Sequence, residues 1–238
     1  MELSAFGALV VVGLVLGARL SQRAARTYAP GDDQLLRDIA PWAVVAGFAG
    51  AHLLHVLGYH PELLKEEGPL VVLRFWDGLS STGGVAGALI GMAAYGRIRH
   101  VALRPYLDAL ALGAAPGWAV ARLGCALVHD HPGTLTHFPL AVAFPGGARH
   151  DLGLYDAFLL GALSAVLYLL ARRPRGSGLL MGVLALGYSV PRFFLDFLRA
   201  QDLPFSDGRI AGLTPAQYLT VVFAGLGLYL LASTARAT

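Results

Sequence analysis

Charge is scarce in this chain of 238 residues, of which only 14% are Asp, Glu, Lys or Arg, against roughly a quarter in an ordinary soluble domain. That deficit excludes a surface solvated everywhere by water and points to lipid as the solvent. Cysteine is scarcer still. Cys125 stands alone, so no internal disulfide and no C-x-x-C redox or zinc spacing is available. Lysine is almost absent: Lys65 is the single one among 18 Lys+Arg. A formal charge of +3 spread over loops is an orientation signal, not a nucleic-acid footprint, and no nucleic-acid partner is expected. A basic stretch ahead of the first apolar run is also missing. Met1 and Glu2 open the chain and Arg19, Arg23 and Arg26 follow the run, so the first segment reads as a retained anchor with its N-terminus outside. Repeats and low-complexity tracts are lacking, which leaves one integral-membrane domain over 1–238 as the expectation.

What is present is apolar: 56% of residues are hydrophobic and 30 are Gly. Long runs at about 3–20, 41–57, 78–95, 105–128, 153–171, 178–198 and 213–232 each approach the roughly 17 to 25 residues that cross a bilayer. The sequence therefore predicts an all-α, polytopic membrane bundle of seven transmembrane helices. Gly83, Gly84, Gly87 and Gly91 dilute the third run, although small residues at near-helical spacing are what close contacts between membrane helices use. Loops after spans one, three, five and seven hold eleven of the cations and the alternate loops five. The richer set is cytoplasmic, which puts the C-terminus inside and makes the polar loops 58–77, 129–152 and 199–212 face outward.

Two cations, Arg122 and Arg192, fall inside spans. An ionised side chain in hydrocarbon costs kilocalories unless it faces the bundle interior, so both are functional candidates, with snorkelling to the nearby interface or plain ion pairing, Arg192 with Asp196 on its own helix, as the alternatives. Tyr188, Arg192, Asp196 and Arg199 recur at i, i+4, i+8 and i+11 and share one helical face. Pro191 interrupts the backbone ladder beside Arg192. His129, Asp130, His131 and His137, with His150 and Asp151, carry ligand-type atoms, but none forms the i, i+4 pair of a helical zinc site, and no metal or other cofactor is expected. Cys125 reads as a small core residue, and His52 and His55 as braces between neighbouring segments. His52, Gly83, Gly84, Arg122, Cys125, Arg192 and Asp196 all fall in the outer halves of their spans. Chemistry is expected in the outer leaflet, with the arginine forks suited to a phospholipid phosphate.

Several segments, in order, resemble the prolipoprotein diacylglyceryl transferases, seven-span enzymes of the bacterial inner membrane. GAHLLHVLGYHP (50–61), FWDGLSSTGG (75–84), DALALGAAPGWAVARLG (108–124), RHDLGLYDA (149–157), YSVPRFFLDFLRAQD (188–202) and GLTPAQ (212–217) are similar to that family's motifs across nearly the whole chain. The resemblance implies transfer of a diacylglyceryl group from phosphatidylglycerol to the lipobox cysteine of an exported prolipoprotein, with the lipid, the signal peptide and the bilayer as partners. It further implies that Arg122 and Arg192 bind and stabilise the phosphate, that Tyr188, Asp196 and Arg199 orient them, and that Asp130 and Gly133 shape the outer loop. Asp130 is grouped with the two arginines as catalytic; Gly83, Gly84, Gly133, Arg149 and His150 join Tyr188, Asp196 and Arg199 as substrate-binding. Departures fall on the chemistry. Thr82 stands where the family has His, Cys125 where it has Asn, Phe6 where it has Tyr, Gly153 where it has Gln and His52 where it has Arg. Thr is no base near neutral pH, which leaves His129, His131 and His150 as alternative proton acceptors, and a lipid-binding homologue without turnover as the rival reading.

Overall fold

The computed structural model describes residues 5–28, 33–75, 78–172, 178–204 and 206–236. Arg173 and Arg175 from the cytoplasmic count, Trp76 and Asp77 at the end of the first outward loop, and the start of the first predicted span lie outside them. Among the described residues the α-helices are α1 Ala5–Tyr28, α2 Asp33–Leu54, the single turn α3 Leu63–Glu66, α4 Ser81–Ile98, α5 Leu107–Val128, α6 Leu152–Leu170, α7 Leu179–Leu195 and α8 Pro215–Ala235. A π-helical turn, His55–Tyr59, extends α2, and Pro41, predicted to open its span, stands inside it. Six of the long helices are apolar and long enough to cross a membrane. The glycine-diluted α4, predicted as a span, forms its helix but is not among the six.

The chain divides into two compact units. One comprises Met1–Asp33, Arg104–Ser206 and Thr220–Thr238; the other comprises Gln34–Leu103 and Asp207–Leu219. In the first, α1 and α5 meet through paired G-x-x-x-G stretches, Gly13/Gly17 and Gly113/Gly117. A Cβ on Gly117 would lie 2.5 Å from the Gly13 carbonyl oxygen. Lipid gives helices no hydrophobic reason to associate, so close backbone approach supplies the attraction. Gly117→Ala is therefore expected to lower stability by about 1–3 kcal/mol, read as an earlier unfolding midpoint in detergent; an unchanged midpoint would refute the tight contact. Ala111, Leu112, Ala115, Leu160, Leu163, Leu167, Leu180, Leu184 and Tyr188 form the core of α5, α6 and α7. At one end of it the buried Asp108 carboxylate accepts the backbone N–H groups of Gly178 and Leu180 at 3.1 and 2.8 Å, satisfying the orphan donors that open α7.

The segment 129–152, predicted as an irregular polar loop of an all-α protein, instead builds a small antiparallel sheet. Its strands β1 Pro132–Leu135, β2 Val142–Phe144 and β3 Gly147–Asp151 lie in the order β1-β3-β2. Phe144 pairs with Gly147 across Pro145 and Gly146, and the φ of +90° at Gly146 suits the second corner of a Pro-Gly turn. Strands this short carry too few residues for a period-two signal.

In the second unit α2 and α4 close on each other. A Cβ on Gly83 would come 2.4 Å from the Gly50 carbonyl oxygen, and one on Gly87 2.2 Å from that of Ala46. Ser80 caps α4 by accepting the Gly83 N–H at 3.2 Å. The start of α8 uses a reciprocal capping box: the Thr214 N–H donates to Gln217 Oε1 at 2.9 Å, and the Gln217 N–H to Thr214 Oγ1 at 3.3 Å. Pro215 occupies the first helical position, where a missing N–H costs nothing.

Candidate active site

Three helix ends converge on one buried charge cluster. Arg122 comes from the last turns of α5, Asp156 from the first turns of α6, Arg192 from the end of α7 and Asp196 from the residue that follows it. Arg122 is 2% and Arg192 4% exposed, so neither snorkels to the surface. The Asp156 carboxylate is shared: its Oδ2 lies 3.3 Å from Arg122 Nη2 and 3.4 Å from Arg192 Nε. Arg192 Nη1 is 2.7 Å from Asp196 Oδ1, and the same oxygen is 3.3 Å from Arg199 Nε. Three guanidiniums thus face two carboxylates in these pairs, with the Asp130 carboxylate also in the field of Arg122 and Arg199. Guanidinium forks match the oxygens of a phosphate.

The predicted helical face does not run unbroken to Arg199. Helix α7 ends at Leu195, Asp196–Leu198 tighten into a 3-10 turn, and Arg199 is extended, bridging the backbone of Gly133. Its side chain still reaches Asp196, so face and ion pairs coexist. Tyr188 is buried, with its ring 4.4 Å from that of Trp118 and its hydroxyl against the Arg122 guanidinium. Gly133 has no room for a side chain, since a Cβ would meet His150 Cβ at 2.6 Å and the Leu198 carbonyl at 2.8 Å. Arg149 locks the same region. Its Nη1 donates to the Gly133 carbonyl at 3.1 Å and to Asp202 Oδ1 at 2.9 Å, while Nη2 holds the second carboxylate oxygen. That fork keeps the Asp202 carboxyl below its ordinary value. His150 Nδ1 faces the Tyr155 hydroxyl at 2.7 Å, and burial pushes its imidazole below the usual value. Arg149 and His150 therefore sit in the scaffold that positions Arg199. Gly83 and Gly84 belong to the other unit, where the α2 contact accounts for Gly83.

Asp130 is exposed at the end of the turn after α5. Ligand-type atoms of Asp130, His131 and Cys125 lie within 4.8 Å of one another. A dication there would meet the Arg122 guanidinium, whose Nη1 is 3.8 Å from Cys125 Sγ, so the field favours an anion. Desolvation, reinforced by Arg199, Arg122 and Arg192, holds the His131 imidazole well below its ordinary value. Cys125 is buried, as expected of a core residue, yet it touches a charge. His52 braces loops: its two ring nitrogens face the carbonyls of Gly78 and Val71 at 3.2 and 3.0 Å.

Two features of the site are not among the site residues singled out from the sequence, although Asp156 stands where the resembling family has Glu. Asp156 is a carboxylate a few residues inside a predicted span, and the rule that singled out Arg122 and Arg192 applies to it equally. His129 pairs with Asp151, Nδ1 to Oδ2 at 2.6 Å, a contact across 22 residues that no local pattern reveals.

The model of the prolipoprotein diacylglyceryl transferase family matches residues 1–233. The chain is 31% identical over 261 aligned positions to the phosphatidylglycerol--prolipoprotein diacylglyceryl transferase of Roseobacter denitrificans, covering 95% of this chain and 88% of that relative. It is 31% identical to the protein so named in Chromohalobacter salexigens, over 94% of this chain and 85% of the relative. A third so named, in Cereibacter sphaeroides, is 32% identical over 95% and 88%.

Proposed function

Because the chain belongs to the prolipoprotein diacylglyceryl transferase family, we propose that it transfers the diacylglyceryl group of phosphatidylglycerol to the lipobox cysteine thiol of exported prolipoproteins, releasing glycerol phosphate. The observation that carries this reading is the buried cluster in which Arg122 and Arg192, from different helices, share Asp156. Displacement at an alkyl carbon with phosphate as leaving group needs cations fixed where negative charge grows, held in a site that need not reorganise. Arg122 and Arg192 fill that role on the phosphate; Tyr188, Asp196 and Arg199 hold them in place. Asp130 and Gly133 shape the outer loop, and the family resemblance supports a substrate-binding role for Gly133, Arg149 and His150 and, in the other unit, for Gly83 and Gly84.

The same reading takes 1–238 as one membrane domain of seven spans in the bacterial inner membrane, with the N-terminus outside, the C-terminus cytoplasmic and the site opening to the outer leaflet. The excess of arginine in alternate loops supports that orientation. The signal peptide of the prolipoprotein then lies in the bilayer beside the lipid it receives.

The test is transfer by purified protein in vesicles, using phosphatidylglycerol labelled in its diacylglyceryl part and a lipobox peptide, with the Cys-to-Ser peptide as control. Label on the cysteine peptide alone is expected. Tight phosphatidylglycerol binding with no transfer would establish instead the lipid-binding homologue that Thr82 at the family's His position suggests.

A further inference from the structure

A thiol must lose its proton before it displaces a phosphate, and Thr82 cannot accept it near neutral pH. The sheet segment of the arginine-bearing unit carries four histidines, of which His129, His131 and His150 are the alternatives. Burial, reinforced by the charges of Arg199, Arg122 and Arg192, disfavours a proton on His131. His150 faces the Tyr155 hydroxyl, and burial disfavours its charged form. His129 differs from both. Its Nδ1 lies 2.6 Å from Oδ2 of Asp151, a carboxylate 1% exposed whose other oxygen caps α6 by accepting the Leu154 N–H at 3.0 Å. A buried carboxylate fixed on one ring nitrogen holds the imidazole in one orientation, leaves Nε2 to accept, and stabilises the imidazolium that forms.

His129 caps α5 in the left-handed region at φ +51°, a common way for a helix to end, and so turns the chain from α5 toward β1. The ring remains accessible: its side chain is 43% exposed and, with Asp151, lines a groove of about 350 Å³ otherwise walled by Leu9, Leu123, Ala126, Leu127, Val142 and Leu154. The dyad also adjoins the phosphate-binding cluster. A Cβ on Gly153 would meet Cys125 Cβ at 3.1 Å and Asp151 Oδ1 at 3.2 Å, and Cys125 in turn takes the Arg122 contact at 3.8 Å.

We infer that His129, oriented by Asp151, is the proton acceptor for the acceptor thiol in this chain. The inference rests on the transferase reading. His129 Nε2 takes the S–H proton, and the sulfur forms a C–S bond to the glyceryl carbon. The C–O bond from that carbon to phosphate breaks, and its electron pair leaves on glycerol phosphate. The proton then passes from His129 to the departing phosphate or to water. Asp151 is a positioning residue. The Asp151 carboxylate of β3 and the Phe144 ring of β2, 5.5 Å away, face His129; Asp130 and His131 follow it in sequence and Cys125 precedes it by four residues on α5.

The experiment is the vesicle transfer assay across pH, with phosphatidylglycerol binding measured in parallel. His129→Gln is expected to lower kcat about 100-fold at pH 7 with lipid binding unchanged, the deficit shrinking as pH rises toward the peptide thiol's own pKa. His129→Gly suits the positive φ of that position, and free imidazole should restore part of its rate. Asp151→Asn keeps the α6 cap and should flatten the acid limb of the pH profile, while His137→Gln on the same segment should match the parent chain. Parent-level kcat in His129→Gln, or a loss that neither alkali nor imidazole relieves, overturns the inference while leaving the transferase reading intact. Absence of transfer by the unaltered chain overturns both.

Discussion

Arg192→Ala is expected to abolish phosphatidylglycerol binding and to reduce transfer by at least 10²- to 10³-fold, the cost of removing a fixed donor from developing charge. Arg192 is the hinge of the cluster. It touches Asp156 through Nε and Asp196 through Nη1, so its loss exposes two buried carboxylates to each other as well as to any phosphate. Breaking such a pair destabilises by roughly 3–5 kcal/mol, and folding must be followed alongside activity. Arg192→Lys separates the two effects: it keeps the charge and loses the fork, so the protein should fold while transfer stays low. Cys125→Ser serves as the contrast, since its thiol makes only a 3.8 Å contact with Arg122; its lipid affinity should equal the parent's. Unchanged phosphatidylglycerol affinity in Arg192→Ala would sink the phosphate-clamp reading.

The apolar runs located α1, α2, α5, α6, α7 and α8 because length and hydropathy dominate in lipid. Intramembrane charge located Arg122 and Arg192 for the same reason. Other features stayed hidden, each for a physical cause. The sheet of 129–152 was illegible because strands of three to five residues carry no period, and because Arg149 holds the Gly133 carbonyl and Asp202 from 16 and 53 residues away. GLTPAQ was read only as a likeness to family motifs, although Thr-Pro-Ala-Gln spells a capping box with Pro at the first helical position. Arg199 looked like the next step on a helical face, but the helix had already tightened at Asp196, and the side chain returns to that face from extended backbone. Gly83 shows one residue type carrying two readings: packing against α2 explains its small size, whatever the lipid does.

Asp156→Asn tests the cluster from its other side. In the parent chain one carboxylate serves two guanidiniums at 3.3 and 3.4 Å; with the charge removed, Arg122 and Arg192 face each other across a neutral amide in a buried site. In phosphatidylcholine vesicles without anionic lipid, the variant should lose roughly 3–5 kcal/mol of stability. Phosphatidylglycerol should then restore more stability to the variant than it adds to the parent, because the lipid phosphate takes over as counter-ion and a ligand stabilises in proportion to how much better it binds the folded form. Transfer should nonetheless fall, since the two forks no longer share the anchor that aims them. The decisive comparison is the rise in unfolding temperature on adding phosphatidylglycerol. A rise no larger than the parent's would mean that the phosphate does not sit between Arg122 and Arg192, and that Asp156 closes an ion pair with no substrate in it.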